Sequence, residues 1–183
     1  MRTQAVIIKK TATNEYDQLV TCFTREYGKL TAIAKGSLKS SSLQSMQLNV
    51  FNIVEFELVN GRSMPIIAAA ECVTAYHGIR QSLPSLAATY FFMEVADRMI
   101  FDMQSDEALW DFLTGLLHDL HTAPASLDMF RKKQAELLGI LGYQPHAIDP
   151  TLSAVRYSPL DAQFEQTAQS RFSSLPFLYS VLK

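Results

Sequence analysis

The chain opens on runs in which apolar and polar positions alternate, the period of a strand with one buried face. Residues 4–10 (QAVIIKK) are rich in β-branched side chains and predict a first strand. In residues 18–25 (QLVTCFTR), Leu19, Thr21, Phe23 and Arg25 fall on one side, and Val20, Cys22 and Thr24 on the other. Residues 29–35 (KLTAIAK) put Leu30, Ala32 and Ala34 on one face and Lys29, Thr31, Ile33 and Lys35 on its opposite. Tyr27-Gly28, between these two runs, predicts a tight hairpin in which Gly28 supplies a positive φ. A long run over 48–59 ends at Asn60-Gly61, the strongest short hairpin signal in the chain, and 64–74 is the returning strand. Five strands result, with a polar, serine-rich loop over 36–47 between the third and fourth. That loop reads either as a connector or as a phosphate-facing element.

The period changes near Tyr76. Pro84-Ser85 predicts a helix start with Ser85 as N-cap, and Leu86, Tyr90, Met93, Ala96 and Ile100 follow at helical spacing. Ser105 is placed to cap a second helix, whose apolar stripe is Leu109, Phe112, Leu113, Leu116, Leu117 and Leu120. Asp106 and Glu107 then oppose the macrodipole in its first turn. Ser126 is placed to cap a third helix carrying Phe130, Leu137, Leu138 and Leu141, stopped by Gly142 and Pro145. Short connections between the three suggest an antiparallel bundle. Residues 161–170 suggest one more short helix before an apolar end. The predicted class is α+β: a five-stranded barrel over 1–76, compatible with an OB-fold, followed by a mostly helical domain over 77–183.

Composition adds bounds. No apolar run is long enough for a membrane span, and the N-terminus enters a strand pattern without a signal-peptide core. A cytoplasmic location is the expectation. The two cysteines, Cys22 and Cys72, belong to no CxxC pair and are expected to be buried free thiols. The net charge of −2 is unevenly spread. Residues 1–62 hold eight Lys/Arg against five Asp/Glu, a balance of +3, whereas the remainder stands at −5. A basic N-terminal part on a mildly acidic body suggests a division of labour.

The search for chemistry finds little catalytic material. There is no phosphate-binding glycine loop, no nucleophile elbow and no HExxH helix. His118 and His121 share a helix face, but no carboxylate or cysteine stands at a spacing that completes a metal site. Neither an enzyme nor a cofactor is expected. The cations, by contrast, cluster on the barrel. Lys9, Arg25, Lys29, Lys35, Lys39 and Arg62, with Tyr27 at the hairpin, form the candidate DNA-binding set. An OB-fold binds strands through a cationic groove with aromatic stacking platforms. The candidate stackers are Tyr16, Phe23 and Tyr27, with core packing the alternative for Phe23. Arg131, Lys132 and Lys133 either extend a basic surface or form a solvated helix face.

At this point the residues resemble a family. Ala5-Val6-Ile7-Ile8-Lys9-Lys10, then Tyr16-Asp17-Gln18-Leu19-Val20-Thr21-Cys22-Phe23-Thr24-Arg25-Glu26-Tyr27-Gly28-Lys29-Leu30, then Ala34-Lys35-Gly36, are similar to the N-terminal domain of the bacterial DNA repair protein family RecO. Tyr76-His77-Gly78-Ile79-Arg80, Glu94-Val95-Ala96-Asp97-Arg98, Phe130-Arg131-Lys132-Lys133 and Leu137-Leu138-Gly139-Ile140-Leu141-Gly142-Tyr143-Gln144-Pro145 agree in order. The resemblance covers roughly residues 4–145 and implies an N-terminal OB-fold, a helical domain and a recombination mediator without catalytic turnover. It further implies binding of single- and double-stranded DNA, annealing of complementary strands, and a cytoplasmic, nucleoid-associated site of action. The implied partners are RecR, the C-terminal tail of single-strand DNA-binding protein (SSB), and, functionally, the recombinase RecA. Many members carry a four-cysteine zinc site just after a Gly-Tyr-x-Pro segment. Here residues 144–150 hold no cysteine, so zinc is expected to be absent, and the chain is shorter than a typical member.

Two mechanisms follow as expectations. In the first, the six barrel cations bind the phosphate backbone, and about four contacts to a single strand give a log–log salt slope near −2.8. In the second, the SSB tail, acidic with an apolar end, docks on the helical domain near Arg131, Lys132 and Lys133. The alternative from another class is a barrel that binds only protein, with no physiological DNA binding.

Overall fold

Five strands close into a barrel in the computed structural model, which describes residues 1–40, 42–146 and 157–182. They are β1 Arg2–Ala12, β2 Gln18–Thr24, β3 Gly28–Ala34, β4 Ile53–Val59 and β5 Ile66–Thr74. Their order is β1-β2-β3-β5-β4, with β4 returning to β1. Every pairing is antiparallel except the single step Ile33↔Ile66 between β3 and β5. This is the OB-fold, and with the helices that follow the class is α+β. The interior holds Ala5, Ile7, Val20, Leu30, Ala32 and Phe56, small residues beside large ones as a narrow barrel requires. In β1, Ile7 pairs with Cys22 and Lys9 with Thr21, so Ile8 is an extra, bulged residue. Cys22 is buried in this core and its thiol is pushed up by desolvation, whereas Cys72 is only half-buried.

The run 48–59 departs from its strand pattern. β4 starts only at Ile53, because Phe51 turns to φ +71°. The Phe51 N–H donates to the Ile7 carbonyl at 2.9 Å, and the Ile7 N–H to the Asn52 carbonyl at 3.1 Å. The backbone is thereby pinned to β1 at a left-handed residue that strand continuation would forbid. The loop expected over 36–47 contains a short helix, α1 Leu43–Gln47, capped by the Ser42 hydroxyl. Asn60-Gly61 does not form a two-residue turn. β4 and β5 pair as expected, but the link runs to Pro65, and the Met64 carbonyl folds back so closely on Gly61 that a Cβ there would lie 2.3 Å away.

The chain divides into two compact units, Met1–Tyr76 with Phe101–Thr114, and His77–Ile100 with Gly115–Lys183. The helices are α2 His77–Gln81, α3 Leu83–Met99, α4 Glu107–Thr122, α5 Leu127–Ile140, α6 Pro159–Ala168 and α7 Ser174–Val181. α4 begins in the segment counted with the barrel and ends in the second unit. At the centre of that unit, Phe91 of α3 meets Phe130 of α5 and Phe164 of α6 edge to face, at 5.1 and 5.5 Å. Of the predicted α3 stripe Met93, Ala96 and Ile100 are buried and Tyr90 is exposed; the buried face is broader than predicted, taking in Ala88, Phe91, Phe92 and Val95. Two caps also shift. Ser82, not Ser85, caps α3, because Pro84 occupies the first turn. Asp106, not Ser105, caps α4 by accepting the Leu109 N–H at 3.0 Å. Ser126 caps α5 as expected. Among the described residues no helix is long and apolar enough to cross a membrane.

Candidate nucleic-acid interface

The β2–β3 hairpin forms with the predicted positive φ at Gly28, +71°, but its turn is Arg25-Glu26-Tyr27: Thr24 pairs with Gly28, the first residue of β3. Its cations, however, already have anionic partners. Lys29 is 8 % exposed, and its ammonium lies 3.3 Å from Asp102. The Lys29 carbonyl accepts the Met103 N–H at 2.8 Å, so the segment after α3 lies along the hairpin. Arg25 reaches Glu107 at 3.2 Å. Tyr27 is half-buried against the barrel core, and Phe23 is fully buried and presents no free ring face. The tip of the hairpin therefore grips an acidic segment of its own chain. Lys29, Arg25 and Tyr27 do not share one open groove with Lys35.

Register explains the separation. Gln18 pairs with Ala34 and Thr24 with Gly28, so Lys35 leaves the hairpin at its opposite end. Seven residues of strand span roughly 20 Å. At that far end the β1–β2 turn and the exit of β3 form a shallow groove of about 480 Å³, lined by Asn14, Glu15, Tyr16, Asp17, Lys35, Gly36 and Lys39. Asp17 organises it: one carboxylate oxygen accepts the Gly36 N–H at 2.7 Å, the other the Asn14 side-chain amide at 3.0 Å. These bonds, the Gly36 N–H first, hold the Asp17 carboxyl below its usual range, and Lys35 and Lys39 add to the effect. Asn14 Oδ1 accepts the N–H groups of Tyr16 and Asp17, and the Leu38 N–H donates to the Tyr16 carbonyl. Lys35 and Lys39 are both exposed. The Lys39 ammonium lies 5.4 Å from the centre of the Tyr16 ring, itself 52 % exposed.

Asn14 and Asp17 escaped the sequence reading of this site, although an Asn three residues before an Asp between two strands is a turn signal. The serine-rich loop does not face phosphate through Ser37. That residue is buried and its hydroxyl donates to the Ala34 carbonyl at 3.0 Å. Arg62 is exposed on the β4–β5 link, which ends where the Pro65 carbonyl takes the Ile33 N–H. Lys9 is exposed on β1, three residues before the strand ends at Ala12.

The α5 run Arg131-Lys132-Lys133 is likewise divided. Arg131 is buried, with Nη1 2.8 Å from an Asp161 carboxylate oxygen. This arginine is a core residue rather than part of a docking surface. Lys132 pairs with Asp128 on the exposed face, and Lys133 with Asp119 and Glu136. His121 Nδ1 accepts the Gly78 N–H at 2.9 Å. Among the described residues no group of three or more His, Cys, Asp or Glu is placed to hold a metal ion. Most of the stretch after Gly142-Tyr143-Gln144-Pro145, where the zinc expectation was framed, lies outside the described residues.

Comparison with known proteins finds two family models along the chain. The model of the Recombination protein O N-terminal domain matches residues 1–76, and that of the C-terminal domain matches residues 80–151. DNA repair protein RecO of Cutibacterium acnes is 33% identical over 121 residues, 65% of this chain and 49% of the relative. That of Nostoc sp. is 30% identical over 152 residues, 83% of this chain and 48% of the relative. That of Geobacter metallireducens is 31% identical over 143 residues, 78% of this chain and 59% of the relative. The chain thus spans about half to three-fifths of the length of these curated relatives. With a five-stranded OB barrel under the first match and helices under the second, the chain belongs to the RecO family of DNA repair proteins.

Proposed function

We propose that this chain acts in recombinational DNA repair as a non-catalytic mediator that binds the phosphate backbone of single- and double-stranded DNA. One observation carries the reading: at the Asp17 corner two exposed cations, Lys35 and Lys39, line an open groove in which Asp17 is already engaged by a backbone N–H and Glu15 is the second acid. Neutralising phosphate charge there lets two complementary strands approach each other and anneal. Membership of the RecO family supports the wider assignment, in which the chain works with RecR to load RecA onto strands coated with SSB, in the cytoplasm at the nucleoid. Arg62 and Lys9 are secondary candidates. Arg25 and Lys29 fit the reading least, since acids of the same chain pair with them, and Tyr27 is half-buried against the barrel core.

The test is fluorescence anisotropy with an unstructured oligonucleotide. Lys35→Ala/Lys39→Ala weakens binding on the order of tenfold at low salt, because two phosphate contacts are lost. Lys29→Ala leaves affinity unchanged. Full affinity in the double variant overturns the assignment, and no binding by the wild type favours a purely protein-binding barrel. For the SSB tail, Lys132 is the exposed cation of α5, with Lys133 half-buried beside it. A labelled tail peptide should bind saturably and lose affinity in Lys132→Ala/Lys133→Ala; no saturable binding removes α5 as its site.

A further inference from the structure

We propose that residues 101–111 form a docking surface for a protein partner whose own surface is apolar at its centre and edged by Lys or Arg. Phe101 is 75 % exposed, the most of any large apolar side chain among the described residues, and Met103 is 62 % exposed. Single apolar side chains in water are ordinary, but here two stand within three residues on a fixed backbone. The Met103 N–H donates to the Lys29 carbonyl at 2.8 Å, and the Gln104 backbone lies against Gly28, where a Cβ would meet it. Asp106 then accepts the Leu109 N–H at the start of α4. Met103 itself sits at φ +57°, a left-handed conformation that its side chain disfavours. Of the three residues 101–103, the hairpin takes up only the polar one, Asp102, whose carboxylate reaches Lys29. Both apolar side chains are left in water. Phe and Met are the residue types that interfaces favour, and anchors on a preset backbone lose little freedom on binding.

Charge selects the occupant. Residues 25–29 and 101–111 together hold two bases and five acids, a balance of −3. Lys29 is buried, and Arg25 is paired with Glu107, whereas Asp102, Glu107 and Asp111 are all exposed. Such a surface repels nucleic acid, an acidic peptide and a second copy of itself alike, and attracts a basic rim. It lies at the end of the hairpin away from Lys35, so the proposal is independent of the phosphate-binding reading.

The experiment is amide NMR of the isotope-labelled full chain, titrated with a short amphipathic peptide of leucine and lysine, which offers an apolar stripe edged by cations. Saturable shifts should map to residues 101–111, and the affinity should fall as salt rises. Phe101→Ser/Met103→Ser should weaken binding on the order of tenfold. Both side chains are exposed, so this variant should keep the wild-type Tm. Asp111→Lys, which leaves the apolar pair intact, should weaken binding through charge alone. The same peptide with glutamate in place of lysine should not bind. No saturable binding of the basic peptide, shifts that map elsewhere, equal binding of the acidic peptide, or full affinity in Phe101→Ser/Met103→Ser each overturn the proposal. So does self-association of the wild type that this variant abolishes, because the pair then serves a second copy. Oligonucleotide affinity should be the same in wild type and Phe101→Ser/Met103→Ser. If the wild type binds no oligonucleotide, the phosphate reading falls and this one stands.

Discussion

Asp161 collects four donors. Its carboxylate accepts Arg131 Nη1, Gln134 Nε2 and the Ser158 N–H, at 2.8, 2.8 and 2.7 Å, and the Tyr179 hydroxyl at 2.5 Å. It is fully buried, and the Arg131 guanidinium lies over the rings of Phe130 and Tyr179, 5.6 and 5.4 Å from their centres. Burial, followed by the Asp161 charge, pushes the Tyr179 hydroxyl up. Removing one partner of such a pair leaves a bare charge in the core. Asp161→Ala should cost about 3–5 kcal/mol in urea unfolding. Replacing both ends, Arg131→Met/Asp161→Leu, should cost less than the single change, because no charge is stranded. The opposite order would mean that the network itself supplies net stability. Gly28 is the second sensitive position. A Cβ there would lie 1.9 Å from the Gln104 carbonyl oxygen, and φ is +71°. Gly28→Ala should destabilise by more than about 2 kcal/mol and loosen residues 101–104 from the hairpin, measurable by hydrogen exchange at Met103. Both residues show why side-chain roles are hard to read from a sequence. Arg131 and Lys29 look like surface cations because their partners, Asp161 and Asp102, lie 30 and 73 positions away.

Among the elements, α3 and α7 are joined by one carboxylate. Glu94 accepts the N–H and hydroxyl of Ser173 and of Ser174, four bonds of 2.6–2.9 Å, and pairs with Arg98 at 2.7 Å. Burial raises its pKa and these hydrogen bonds lower it; the bonds prevail, so the folded carboxyl titrates below its ordinary 4.5. A depressed folded pKa means the clamp's ionic contribution is complete above about pH 4.5 and fades as the pH falls through the folded value. Wild type should therefore exceed Glu94→Ala in Tm by a gap that is widest near neutrality and narrows below pH 4.5. A gap independent of pH would assign the effect to packing alone. The clamp marks the limit of pattern reading at this scale. β2, β3 and their turn were legible because alternation and Gly28 are local. The start of β4 was not, since Phe51 breaks the strand for a bond to Ile7, and α7 was not, since its placement depends on Glu94. The groove was half legible: Lys35, Lys39 and Tyr16 stand out by type, but only tertiary pairing shows that Asp17 gathers them and that Arg25 and Lys29 are elsewhere.

For the molecule as a whole, the basic character of the N-terminal third is cancelled within its own unit. Met1–Tyr76 with Phe101–Thr114 holds eight Lys/Arg against ten Asp/Glu, because Phe101–Thr114 brings four acids and no base. The second unit holds eight of each. Neither unit carries a net positive charge, so the proposed DNA binding draws on a local patch and predicts a shallow salt dependence. With Lys35 and Lys39 as the phosphate contacts, the log–log slope on a single strand is about −1.4 rather than the −2.8 of four engaged cations. Raising salt from about 50 to about 200 mM then weakens binding roughly sevenfold, not fiftyfold. Anisotropy titrations across that range measure the slope directly, and Arg25→Ala/Lys29→Ala should leave it where it is. A wild-type slope of −2.8 or steeper would mean further phosphate contacts, either from Lys9 and Arg62 or from a hairpin that releases Asp102 and Glu107 when DNA arrives, and only in the second case would the same double variant flatten it.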